Sequence, residues 1–276
     1  MTVALVVPQP VTDNVIELSV VNGKLAKKEE VRYNKDGTID KRKCYKESGV
    51  SSEVYAFTSN EEIEAMINVF NKYIDEAPDE NKRQIAYRNK MLFLIGMNVG
   101  LRASDLRTLK YNFFFVEKEV KLENEDEKVK VLEWRDFYKI QPKKQRNQGK
   151  FVKLYFNQTV KKAITDYIDK YPVNDVNGYL FQSRKGNEPI SEASLWRIIK
   201  DAAAEAGIEK NIGSHSLRKS FGFHIWHNAE DKKKALVTLQ AIFNHSSVQT
   251  TMKYIGLLDT EIEDMFLSID LGLEYL

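Results

Sequence analysis

The feature that most constrains the fold is a helical segment over about residues 82–98 that is apolar nearly all round in its second half. Its apolar run is Met91-Leu92-Phe93-Leu94-Ile95. A helix at a protein surface keeps one polar face, so a helix that is apolar on every side has to be covered by other elements. We therefore expect this helix to lie at the centre of the fold. Gly100 should close it, because glycine readily takes the left-handed conformation at helix ends.

Other helices are expected to surround this segment. Thr58 and Glu61 fit a capping box, in which each side chain accepts a hydrogen bond from the backbone of the other residue. The apolar residues that follow share one helical face: Ile63, Met66, Ile67 and Phe70. Similar patterns predict helices over residues 158–170, 191–206, 214–228, 232–243, 247–255 and 259–269.

Between the central helix and the later helices, the pattern is typical of strands. Residues 113–116, 129–140 and 151–156 are rich in Val, Phe, Tyr and Trp, and polar turn sequences at 123–126 and 147–149 separate them. The predicted fold class is mainly α with a small antiparallel β-sheet (α+β), the sheet being inserted after the third helix.

The first 57 residues differ from the rest. They contain a short β-like run over 15–21, turn signals at Asn22-Gly23 and Asp36-Gly37, and frequent lysine and arginine between Lys24 and Lys46. We predict a basic, irregular or small-β appendage over 1–57 and a second domain over 58–276.

Composition limits the class of protein. The 276 residues carry a net charge of only +2, so a nucleic-acid binder of this composition has to concentrate its basic residues on one face. The single cysteine, Cys44, excludes an internal disulfide, and no apolar run approaches the length of a membrane span. We expect a cytoplasmic protein with no membrane partner.

Residues suited to phosphate chemistry recur along the helical part. His215 and Arg218 are three residues apart and share one helical face. If Ser214 or a neighbour caps that helix, both side chains lie at an N-terminus, where free N–H groups and the helix dipole favour an anion. Arg102 follows the buried helix and needs a partner, which could be Asp105 or a phosphate.

Tyr254 lies nine residues after His245, on a short helix predicted after Asn244 in a left-handed position. Tyrosine is a poor nucleophile near neutral pH because its pKa is about 10. Two nearby arginines would favour the phenolate and neutralise a phosphate under attack. No His, Cys or carboxylate cluster has metal-ligand spacing, so neither a metal nor another cofactor is expected.

These segments together resemble the catalytic domain of tyrosine recombinases, the phage integrase family. The family shows arginine in a G-L-R-x-S/D-E/D-L context, then H-x-L-R, then L-G-H-S-S-x-x-T-T-x-x-Y. The resemblance implies that Arg102 and Arg218 clamp the phosphate. It implies His215 as general base, His245 as a further phosphate donor and Tyr254 as nucleophile.

The resemblance also implies a lysine in a β-hairpin that protonates the leaving 5′-oxygen. Within residues 141–146 we assign this role to Lys144, with Lys143 as the alternative. Asn244 stands where the family usually has glycine, but asparagine also tolerates the left-handed conformation.

The function implied is site-specific DNA recombination through a 3′-phosphotyrosyl intermediate. Its partners would be double-stranded DNA, a homotetramer on DNA that exchanges the C-terminal helix at about 259–267, and possible accessory DNA-bending proteins. Two alternatives stay open at this point: DNA relaxation of the type IB topoisomerase kind, and a non-catalytic DNA-binding regulator on the same scaffold.

Overall fold

A computed structural model describes residues 53–121, 128–143, 151–173, 175–184 and 186–257, with residues 149 and 268 and two short strands near the N-terminus. The chain divides into two compact units, Met1–Glu53 and Val54–Leu276. In the first unit, β1 (Leu18–Val21) pairs antiparallel with β2 (Lys24–Lys27). Phe57, just before the boundary that the sequence suggested, is fully buried in the second unit.

The second unit is mainly helical, which confirms the predicted fold class. Its described helices are α1 (Asn60–Asp75), α2 (Glu80–Val99), α3 (Ala103–Leu106), α4 (Gln158–Lys170), α5 (Glu192–Glu205), α6 (Ser214–Asn228), α7 (Lys232–Phe243) and α8 (Val248–Ile255). The bounds of α6 and α7 are those expected from the sequence. The helix predicted over 259–269 lies outside the described residues apart from Ser268. None of the helices in the described part of the chain is long and apolar enough to cross a membrane.

The prediction of one small sheet in this unit was wrong, because its strands form two separate antiparallel pairs. They are β3 (Phe115–Lys121) with β4 (Lys128–Trp134), and β5 (Phe137–Ile140) with β6 (Val152–Tyr155). Residues 129–140, predicted as one run, are interrupted at Arg135. Its backbone N–H donates to Phe114 O at 2.8 Å, and its Nε donates to the carbonyls of Asn112 and Phe115 at 3.0 and 3.2 Å.

The predicted capping box also shifts by one residue. Ser59 caps α1, its Oγ accepting the Glu62 N–H at 3.2 Å, while Glu62 Oε2 accepts the Ser59 and Thr58 N–H groups at 3.4 and 2.8 Å. Glu62 is held in this position by an ion pair with Lys210, which lies far along the chain. A long-range contact therefore decides between two equivalent local patterns.

Helix α2 is the central element, as expected. Met91, Leu92, Phe93 and Ile95 are almost completely buried in the main hydrophobic core, and Gly100 closes the helix with φ of 60°. A smaller hydrophobic cluster joins α7 and α8: Leu236, Leu239, Phe243, Ile255 and Leu257.

Helix α6 lies between these two clusters. Gly222 lets it approach α7 and α8 closely, since a Cβ there would lie 2.6 Å from Ile255 Cγ2 and 2.9 Å from the Phe243 ring. Any larger residue at this position has to push the smaller cluster away from α6.

Candidate active site

Arg218 lies one turn into α6, where it is only 4% exposed. The N-cap of this helix is Gly213, whose N–H donates to Ser216 Oγ at 3.1 Å. Arg218 Nη1 donates to Gly100 O, and its Nη2 donates to Phe243 O at 3.1 Å. Both carbonyls stand at helix C-termini, where the helix dipole is negative. The buried positive charge is thus held by backbone oxygens.

Arg102 reaches the same Phe243 carbonyl. It is the N-cap of α3, is half-buried, and places Nη2 3.5 Å from Phe243 O. Among the described residues it makes no ion pair with Asp105, whose Oδ1 instead accepts the backbone N–H of Lys143 at 2.9 Å. The two arginines predicted to form a clamp therefore converge on one oxygen, Phe243 O.

Burial and the nearby charges shift the pKa of Arg218. The pKa of Arg218 is lowered to about 10, chiefly by burial; the Arg102 charge also lowers it, while Tyr254 and Asp105 act in the opposite direction. Arg218 still carries its charge at neutral pH. Its guanidinium carbon lies 4.2 Å from the centre of the Phe243 ring, which adds a cation–π contact.

Tyr254 lies on α8, next to both arginines. Its ring packs edge-on against Phe243, with centroids 5.4 Å apart, and against His245 at 5.1 Å. Its hydroxyl is buried and has no hydrogen-bond partner in the part of the chain that the structure describes. Lys219 Nζ lies 5.6 Å from the ring centre.

The protonation state of Tyr254 differs from the expectation. Burial raises its pKa above the ordinary value, whereas the Arg218 and Arg102 charges lower it. The arginines act in the predicted direction, but burial has the larger effect. The hydroxyl is therefore a neutral phenol at pH 7, because transfer of a charged group out of water is unfavourable.

His245 follows the end of α7. Asn244 is in the left-handed conformation, with φ of 52° and ψ of 51°, as predicted. His245 Nδ1 lies 3.0 Å from Oγ1 of Thr251, a fully buried residue whose hydroxyl also reaches Ser247 O at 3.4 Å. Burial, followed by the Arg218 and Arg102 charges, lowers the pKa of His245 to about 4. The ring is neutral at pH 7, and the Thr251 hydroxyl can serve either tautomer.

The remaining predicted residues lie at the edge of this group. His215 is the second residue of α6 and is exposed, one helical turn before Arg218. Lys143 is exposed, and its backbone is tied to Asp105 beside Arg102. Lys144 lies outside the described residues, so the choice between the two lysines stays a prediction.

Sequence reasoning missed the residues that support the charged groups. Phe243 supplies both a carbonyl acceptor and a ring contact, Gly100 supplies a second carbonyl, and Thr251 orients His245. One signal was available, because Gly100 and Phe243 both stand at predicted helix ends, where carbonyls lack internal partners. Within the described residues, no group of three His, Cys, Asp or Glu side chains is arranged to hold a metal ion.

Comparison with known proteins identifies the family of this chain. The model of the phage integrase family matches residues 56–261. The probable integrase/recombinase YoeC of Bacillus subtilis (strain 168) is 34% identical over 185 residues, covering 66% of this chain and 86% of YoeC. The tyrosine recombinase XerD of Staphylococcus aureus (strain Mu50 / ATCC 700699) is 26% identical over 192 residues, covering 69% of this chain and 57% of XerD.

Solved structures show the same fold. XerA recombinase aligns with a TM-score of 0.51 at 21% identity, covering 78% of this chain and 64% of that one. The XerH site-specific recombinase, bound to palindromic difH substrate in a post-cleavage complex, aligns with a TM-score of 0.50 at 21% identity, covering 88% and 62%. The chain thus spans less than two thirds of XerD and of both structures.

Proposed function

We propose that this chain, which belongs to the phage integrase family, is a site-specific DNA recombinase in which Tyr254 breaks and rejoins the DNA strand. The observation that carries this proposal is the convergence of Arg102 and Arg218 on Phe243 O, next to the buried Tyr254 hydroxyl. Two arginine charges at one point are an arrangement suited to the non-bridging oxygens of a phosphodiester.

The arginines would exchange carbonyl oxygens for phosphate oxygens when DNA binds. Neither arginine has a carboxylate ion-pair partner among the described residues, and hydrogen bonds to a charged acceptor are stronger than those to a neutral one. Such donors lie ready for the charge that grows on phosphorus in the transition state. This arrangement stabilises the transition state more than it stabilises the bound substrate.

The chemical step is a transesterification. The Tyr254 oxygen forms a bond to phosphorus as the bond from phosphorus to the 5′-oxygen breaks, which gives a 3′-phosphotyrosyl link and a 5′-hydroxyl. His215 takes the phenol proton, because burial keeps Tyr254 protonated until a base acts. Lys144, or Lys143, gives a proton to the leaving oxygen. Attack by a 5′-hydroxyl from another strand reverses these transfers and rejoins the DNA.

His245 would contribute a neutral hydrogen bond. When the Thr251 hydroxyl donates to Nδ1, the imidazole proton is on Nε2 and can be donated to a phosphate oxygen. The lowered pKa of His245 keeps this ring from adding a third positive charge beside the arginines. Thr251 acts through His245 and is therefore a positioning residue.

The assembly is proposed on the same basis. The XerH structure contains a palindromic difH substrate, and we infer that double-stranded DNA is the partner of this chain. As expected from the sequence, we place the reaction in the cytoplasm. Four copies of the chain would assemble on DNA and exchange the segment at 259–267. This homotetramer, with help from accessory DNA-bending proteins, would bring two DNA strands together. The basic segment 1–57 would add contacts to the phosphate backbone of the DNA. Sedimentation with and without DNA tests the exchange, since a chain ending at residue 258 should remain monomeric on DNA.

The proposed nucleophile is tested with a nicked suicide duplex that carries the recombination site of this protein. The loss of a short 5′ fragment traps the covalent complex, which is resolved by denaturing electrophoresis. We expect an adduct for the parent chain and for Tyr155→Phe, an exposed tyrosine on β6, but none for Tyr254→Phe. An adduct that survives Tyr254→Phe refutes the assignment.

The adduct assay and a plasmid-relaxation assay together separate the alternatives. The relatives described above are integrases and recombinases, and they give no support to a topoisomerase or a non-catalytic regulator. A regulator would bind the duplex without forming any adduct. A topoisomerase would relax supercoiled plasmid that lacks the recombination site.

A further inference from the structure

A second group of arginines lines a cavity away from the active site. The cavity has a volume of about 440 Å³ and lies between the first half of α2, Tyr167 of α4, and the 179–184 segment. Arg88 in this cavity precedes Gly100 by twelve residues, which is about 18 Å along a helix that rises 1.5 Å per residue. A separate ligand could therefore occupy the cavity while DNA occupies the active site.

Arg88 is buried, and no acidic side chain in the described part of the chain pairs with it. It is 8% exposed, and it donates from Nη1 to Gln182 O at 2.6 Å and from Nε and Nη2 to Asn89 Oδ1 at 3.3 and 2.8 Å. A guanidinium has five N–H groups, so one on Nη1 and one on Nη2 remain for another acceptor. A buried charge that lacks an opposite charge is costly, so a concave site that holds such a charge favours an anionic ligand.

Arg184 increases the positive charge of the same cavity. Burial lowers the pKa of Arg88, and the Arg184 charge lowers it further. The described lining contains no Asp or Glu. Two cations with no counter-charge in the lining favour an anionic ligand over a neutral one.

Two tyrosines add neutral donors. Tyr111 and Tyr167 are mostly buried, and burial raises the pKa of both, so their hydroxyls keep their protons. The Tyr167 hydroxyl accepts from Gln84 Nε2 at 3.4 Å and can still donate its own proton. The described residues give the Tyr111 hydroxyl no hydrogen-bond partner. Phosphate oxygens accept from both kinds of donor present here, guanidinium and phenol.

We propose that this cavity binds a phosphate group, carried either by a DNA strand or by a free phosphate ester. Arg88 and Arg184 supply the charge, and Tyr111 and Tyr167 supply neutral hydrogen bonds. The volume is in the range of small-ligand pockets and is sufficient for one nucleotide unit. The proposal concerns binding alone and goes beyond strand cleavage at Tyr254.

The test removes the exposed arginine, because Arg88→Gln could prevent folding. Pyrophosphate and thymidine monophosphate are titrated calorimetrically into the full chain, into Arg184→Gln and into Tyr111→Phe. Arg83→Gln is the matched control, since Arg83 lies on the same helix but pairs with Glu80 outside the cavity. If the source is a free phosphate ester, the parent chain should bind at least one of the two probes. Each cavity variant should then bind it about tenfold more weakly, whereas Arg83→Gln should bind it as tightly as the parent chain does.

If the source is DNA, neither free probe binds and duplex affinity changes instead. Arg184→Gln then reduces the slope of log K against log salt concentration by about one relative to Arg83→Gln. The proposal is overturned if both cavity variants match the control in anion binding, duplex affinity and salt slope. Formation of the Tyr254 adduct at saturating DNA is measured in parallel, so a failure of the catalytic assignment is seen separately.

Discussion

At the residue scale, the site depends on carbonyl oxygens at helix ends. Arg218 is held by Gly100 O and Phe243 O, the ends of α2 and α7, whereas among the described residues Arg102 makes a single long contact, with Phe243 O. The two arginines therefore share a proposed role but differ in structural importance. This difference can be measured.

Arg218→Gln and Arg102→Gln should have different effects on stability. Loss of Arg218 leaves buried carbonyls without donors, which should lower the free energy of unfolding by about 1–3 kcal/mol. Arg102→Gln should leave stability nearly unchanged, and each variant should slow adduct formation by about a hundredfold or more. Urea denaturation and single-turnover adduct assays check both values. Equal destabilisation by the two variants, or normal adduct formation by Arg102→Gln, would contradict this account.

The lowered pKa of His245 should make the stability of the folded chain depend on pH. Its pKa is about 4 in the folded chain and about 6.5 when unfolded, so below pH 6.5 the unfolded state takes up a proton that the folded state excludes. The contribution of His245 is complete above pH 6.5 and is lost as pH falls towards 4. Melting temperatures at pH 7.5 and 5.0 should differ more for the parent chain than for His245→Asn. Parallel pH profiles for the two proteins would show that His245 is not shifted in this way.

At the scale of secondary-structure elements, Asp105 links α3 to the connection between β5 and β6. Its carboxylate is buried and accepts the Lys143 N–H at 2.9 Å, so the proposed lysine-bearing turn starts from a point fixed beside Arg102. Asp105 would thus be a positioning residue for the general acid.

Asp105→Ala should slow adduct formation by about tenfold, because it removes one hydrogen bond worth about 1.5 kcal/mol. Asp105→Asn keeps an oxygen acceptor and should retain most of the rate. When the 5′-oxygen of the substrate is replaced by sulfur, the leaving group departs without needing a proton. This substrate should therefore restore the rate of adduct formation by Asp105→Ala. The same substrate distinguishes Lys144→Ala from Lys143→Ala, since only loss of the general acid should be rescued. A defect that persists with sulfur would indicate a purely structural role for Asp105.

Helix boundaries could be predicted from the sequence wherever local residues set them. The left-handed conformations of Gly100 and Asn244 end α2 and α7 as expected, because both are properties of the residue itself. The cap of α1 and the break at Arg135 were missed, since each depends on distant partners. For the same reason the shared acceptor, Phe243 O, could not be foreseen: it lies 141 residues from Arg102.

At the scale of the whole second unit, the proposed active site is built from residues that pack on two different hydrophobic clusters. Arg102 borders the main core built around α2, whereas Tyr254 packs on the smaller cluster of α7 and α8. Arg218 connects them, donating to Gly100 O on one side and to Phe243 O on the other. The nucleophile is therefore carried by the smaller cluster and is positioned through α6.

The most direct test is to identify the residue that carries the DNA. The trapped adduct is digested with nuclease and protease, and the peptide that bears the 3′-linked nucleotide is sequenced by mass spectrometry. We predict a single modified peptide, with the phosphate on Tyr254. Modification of any other residue, in chains that still exchange strands, would contradict the account.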